Sequence, residues 1–154
     1  MTHCALPGEV SGILLADVRL TNVPESASAA RRVVKTLACA WDAEAIADRA
    51  ELLVCELVAN AAKHARDPLG SDLRLVISRT GERLRVEVHD ASTALPRVRH
   101  GEPLAEDGRG LLLAEALADA LGWHLLAHGK AVYFELTAWP VRPARTAARR
   151  TRGR

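Results

Sequence analysis

A chain of 154 residues with 49% hydrophobic and 26% charged side chains has the length of one domain, and at about 150 residues folding hides roughly 70% of the surface. This composition excludes collagen-like and wholly disordered chains, and no apolar run approaches the roughly 20 residues of a membrane-spanning helix. The net charge of +2 is made at one end: residues 142–154 carry six arginines and no acid, and without them 15 basic residues stand against 19 acidic ones.

That Arg-rich tail reads as a solvated, disordered end rather than a nucleic-acid contact. The first twelve residues read as an N-terminal extension, and residues 13–141 as the folded domain. The opening MTHCALPGEVSG has no charged stretch leading into an apolar core, so no secretory signal is expected. Cys4, Cys39 and Cys55 are odd in number and lack a C-x-x-C spacing, which disfavours a disulfide framework and a cysteine zinc site. A reducing cytoplasm fits best.

In chain order, residues 13–20 (ILLADVRL) read as a strand. Pro24, Glu25 and Ser26 then open a helix through about Trp41, with Ala30, Val33, Val34, Leu37 and Ala40 at helical spacing. A second helix runs from about Ala43 to Ala65, before the breakers Asp67 and Pro68. Residues 72–79 and 83–89 alternate polar and apolar around Thr80 and Gly81, a hairpin with one wet face. Residues 91–107 lack periodicity and contain two prolines, long for a plain connection. Gly108, Arg109 and Gly110 lead into a helix over 111–121 stopped by Gly122. Strands over 123–128 and 131–139 follow, joined by Gly129 and Lys130. Together these predict an α+β, two-layer sandwich: a mixed, mostly antiparallel sheet packed on three helices.

The informative segment is ELLVCELVANAAKHA, residues 51–65. Between Leu52 and Ala62 only Glu56 and Asn60 are polar, and a helix apolar on nearly every side is expected to be buried. Glu56 and Asn60 lie four apart on one stripe, which Lys63 and His64 extend by a turn. Either this stripe faces water, or it lines a cleft holding a metal and phosphate oxygens; a buried carboxylate and amide need such partners. Asp90 ends a strand, where a carboxylate can recognise an amino group on a base. Glycines at 108 and 110 beside a helix start let backbone N–H groups approach an anion. GKAVYFEL, residues 129–136, is a glycine turn into a strand.

Taken together and in this order, the four segments resemble the ATP-binding domain shared by histidine kinases, gyrase B, Hsp90 and MutL. They are most similar to the small serine/threonine kinases that act as anti-sigma factors, including the single-domain actinobacterial ones. ELVANAAKHA looks like the N box, VEVHDAS the first glycine box, DGRGLLLAEALAD the second, and GKAVYFEL the closing one; the likeness covers roughly residues 24–138. It implies a Bergerat-type ATP-binding fold, with ATP and Mg²⁺ bound. Asn60 would be the metal ligand and Glu56 the catalytic base. Asp90 would accept the adenine amino hydrogen, beside Ser92, which stands where the family has a glycine. Gly108, Arg109, Gly110 and Leu111 would line the phosphate side, with residues 93–107 as a lid that is short and lacks a glycine-rich hinge. Lys63 and His64 would reach phosphate oxygens. Lys130 is a weaker phosphate candidate, its plainer reading being a solvent-facing turn lysine.

The chain has no room for a phospho-accepting helical hairpin, which disfavours a stand-alone histidine kinase. The resemblance therefore implies a cytoplasmic serine/threonine kinase that binds a sigma factor and phosphorylates a small anti-sigma antagonist. No membrane or direct nucleic-acid contact is expected, and homodimerisation is left open. The alternative is a non-catalytic module in which ATP only holds a protein-binding surface in shape.

Overall fold

Leu73, Leu75 and Ile77, and then Leu84, Val86 and Val88, fall at every second position; Ala30, Val34 and Ala38, and Leu53, Leu57 and Ala61, fall four apart. All twelve are buried. The first spacing puts apolar side chains on one face of a sheet and the second on one face of a helix, and the two apolar faces cover each other.

The computed structural model describes residues 3–4, 12–23, 25–64, 72–94 and 106–140. In chain order the elements are β1 (His3–Cys4), β2 (Ile13–Leu20), α1 (Ser26–Ala40), a 3-10 turn (Glu44–Ile46), α2 (Ala47–His64), β3 (Leu73–Thr80), β4 (Arg83–Asp90), α3 (Glu106–Leu117), β5 (Ala120–Leu125) and β6 (Lys130–Thr137). The sheet runs β1-β5-β6-β4-β3-β2. Five strands pair antiparallel, and β1, inside what the sequence suggested was an extension, pairs parallel with β5. The helices form the second layer, with α2 touching both α1 and α3 as well as β3, β4 and β6. The α+β sandwich expected from the sequence is the fold found.

Three local expectations fail. The third helix starts at Glu106 and ends at Leu117, earlier than expected, and Gly122 lies inside β5. Asp119 ends the helix by tying the chain to β6: its N–H donates to the Glu135 carbonyl at 3.0 Å, and its carboxylate accepts the Thr137 N–H at 2.6 Å. Gly122 is there because the Tyr133 ring occupies the space beside it; a Cβ would come within 2.6 Å of the ring carbon Cζ.

The second helix is not apolar-buried all round. Leu53, Val54, Leu57 and Val58 form its core face, while Leu52 is 54% exposed and Ala59 lies open on the other side.

The outer face of β4 is not wet either, because Arg85 and Glu87 are buried there. Arg83 and Arg85 each donate to Glu135, at 2.8 and 2.9 Å; Arg85 also donates to Glu87 at 2.6 Å and lies 3.5 Å from the Tyr133 ring centre. His89 reaches the other Glu87 oxygen at 2.9 Å. Burial works against the Glu87 charge, yet His89 and Arg85 outweigh it and pull the carboxyl down to about 2.

Candidate functional site

Antiparallel pairing of β4 with β6 puts Asp90, the last residue of one, opposite Lys130, the first residue of the other. Both side chains are buried, and Lys130 Nζ donates to Asp90 Oδ1 at 2.9 Å. The same ammonium donates to the Ser92 carbonyl at 3.3 Å, and the Ser92 N–H donates to Asp90 Oδ1 at 2.8 Å. Asp90 Oδ2 is buried and, among the described residues, has no hydrogen-bond partner. A buried carboxylate oxygen without a donor is costly, so this atom is an acceptor awaiting one. Gly129 makes the arrangement fit: its φ is +101°, and a Cβ there would strike the Asp90 carbonyl oxygen and come within 2.8 Å of Ala91 Cα.

The second half of the site lies between α2 and α3. Glu56 is half-buried on α2, and a Cβ on Gly110 would run into its carboxylate. The glycine therefore lets the Glu56 carboxylate sit directly against the first turns of α3. Asn60 follows one turn along α2, also half-buried. Because α3 starts at Glu106, Gly108, Arg109 and Gly110 lie within its first turns rather than ahead of it. The amides of 106–109 are the ones an α-helix leaves without an acceptor, which makes this end the anion-favouring one. Leu111 is buried behind it.

Not every expected residue joins the site. Lys130 is not solvent-facing: it is 1% exposed and its ammonium is bonded to Asp90 and the Ser92 carbonyl. The correction has a register cause, since an antiparallel partner of a buried strand-end aspartate shares its buried face. The signal was present as the one charged residue opening the apolar run AVYF after Gly129. Lys63 is exposed at the end of α2. The backbones of His64 and Arg109 belong to α2 and α3, while their side chains, and residues 95–105 of the expected lid, lie outside what is described. Ser92 contributes its backbone to the Asp90 turn, and its hydroxyl accepts the Ala94 N–H at 3.2 Å, a job glycine could not do. Among the described residues no group of three or more His, Cys, Asp or Glu side chains is placed to hold a metal ion, and no helix is long and apolar enough to cross a membrane.

A family model for the histidine kinase-like ATPase domain matches residues 20–136. The chain belongs to the histidine kinase-like ATPase family. No curated protein matches it. For a histidine kinase-like ATPase domain the two halves of the site take on a common purpose, because membership implies ATP binding. An unpartnered buried carboxylate oxygen is an acceptor of the kind a base amino group needs, and the start of an α-helix is of the kind phosphates favour. The chemistry of these residues fits an adenine nucleotide.

Proposed function

We propose that this ATP-binding regulatory domain is a serine/threonine protein kinase acting as an anti-sigma factor, which phosphorylates a small antagonist of that factor. The observation carrying the kinase reading is the Glu56 carboxylate held against Gly110, one helical turn from Asn60. In this reading Asp90 Oδ2 accepts the adenine amino hydrogen. Asn60 would hold Mg²⁺ through its amide oxygen, and the ion would supply charge to offset the phosphates. The first-turn amides of α3 receive phosphate oxygens, aided by Arg109, Lys63 and His64, with Ser92 and Leu111 shaping the base and phosphate ends. Glu56 takes the proton of the attacking serine hydroxyl, as a base within reach of the nucleophile does.

The test is phosphotransfer from labelled ATP, with magnesium, to antagonist proteins encoded beside this one. Transfer to a serine or threonine is expected. Glu56→Gln, which keeps volume and hydrogen bonding, should cut the rate by roughly 10²–10⁴-fold while leaving ATP affinity nearly intact. ATP binding with no transfer to any such partner contradicts the kinase reading and leaves a nucleotide-gated binding module.

A further inference from the structure

Lys130 is among the largest fully buried side chains of the described chain, and nothing in the proposed chemistry uses it directly. A lysine so deep in a sheet is costly unless its charge is matched, and here its match is Asp90 Oδ1, with the Ser92 carbonyl as a second acceptor. The pairing is one-sided. Oδ1 receives both the ammonium and the Ser92 N–H, whereas Oδ2 receives no donor among the described residues.

We propose that Lys130 is a positioning residue for base selection: together with the Ser92 N–H it holds Oδ1, fixing the rotation of the Asp90 carboxylate so that Oδ2 is the acceptor left for the base. The inference rests on the reading of Asp90 as the base-recognition residue. An ionised carboxylate can only accept, so it suits the amino group of adenine and repels the carbonyl that guanine carries at the same position. Without the ammonium and the turn it ties down, the carboxylate is free to rotate, Oδ2 is no longer presented, and the discrimination between the two bases falls. Lys130 is thereby a determinant of which nucleotide binds, although it touches none. Its bond to the Ser92 carbonyl also fixes the turn that supplies the second donor to Oδ1, so one ammonium sets the rotation of the carboxylate from two sides.

The test is titration calorimetry of Mg-ATP and Mg-GTP against the folded full chain and its variants. The unmutated protein should prefer ATP. Lys130→Met should move the ATP-to-GTP affinity ratio toward unity by about tenfold or more, the scale of one hydrogen bond to a charged group, and Lys130→Arg should restore the preference by restoring the cation. A merely structural lysine would weaken both nucleotides alike and leave the ratio unmoved. If Lys130→Met does not fold, Asp90→Asn is compared with Asp90→Asn combined with Lys130→Met, which buries no unmatched charge. A residue acting only through Asp90 should change the ratio no further in that background. A preference for ATP that survives Lys130→Met, or a further change in the double variant, overturns the inference alone. Absence of nucleotide binding by the unmutated protein overturns the Asp90 reading and the inference with it.

Discussion

Gly110 and Glu56 constrain each other across the α2–α3 contact, and the constraint can be turned into a measurement. Adding a methyl at Gly110 places it against the Glu56 carboxylate, which is the far end of a flexible side chain and can swing aside. Alanine also favours a helix over glycine by roughly 1 kcal/mol. Gly110→Ala is therefore expected to hold or raise the unfolding midpoint in urea and, if the proposed kinase reading holds, to lower the rate of phosphotransfer, because Glu56, the proposed base, has been displaced. A variant that loses stability and keeps its rate would show that Glu56 is not seated where the site needs it. Gly129 behaves in the opposite way. Its φ of +101° and the Asp90 carbonyl oxygen beside it leave no flexible group to give way. Gly129→Ala should cost about 1–3 kcal/mol of stability and weaken nucleotide binding with it, read by urea unfolding and calorimetry.

At the scale of elements, the sheet shows what a period of two can and cannot reveal. Alternation in residues 73–77 and 84–88 located β3 and β4 and their core faces. It could not reveal that the polar face of β4 closes over itself, since Arg85, Glu87 and Glu135 are neighbours only once β6 lies beside β4. For the same reason Lys130 was misread: its partner lies forty residues away in sequence and adjacent in register. That Glu56 and Asn60 share one stripe of a single helix was legible because the relation is local, four residues apart. The end of α3 was not, because the carboxylate and N–H of Asp119 stop it through contacts with β6. The outer-face network carries its own pH signature. Glu87 is held near 2 against an ordinary value of 4.5, so its contribution to stability is complete above about pH 4.5 and is lost as pH falls toward 2. Urea midpoints of the unmutated protein should fall across that window, and those of Glu87→Gln should fall less, the two converging near pH 2. Parallel curves would assign the acid transition to other carboxylates.

For the whole molecule, one layer of strands and one of helices carry two groups of candidate residues: Asp90 and Lys130 at the β4–β6 end, and Glu56 against Gly110 where α2 meets α3. Family membership implies ATP binding. The central claim is that Asp90 Oδ2 reads the adenine amino group. Calorimetric titration of the unmutated protein and of Asp90→Ala with Mg-ATP and Mg-GTP tests it most directly. The account predicts that ATP binds more tightly than GTP, and that Asp90→Ala weakens ATP by roughly 1.5–3 kcal/mol, about ten- to a hundredfold. Equal affinities for ATP and GTP, or an Asp90→Ala variant that binds ATP as tightly as the unmutated chain, would contradict it.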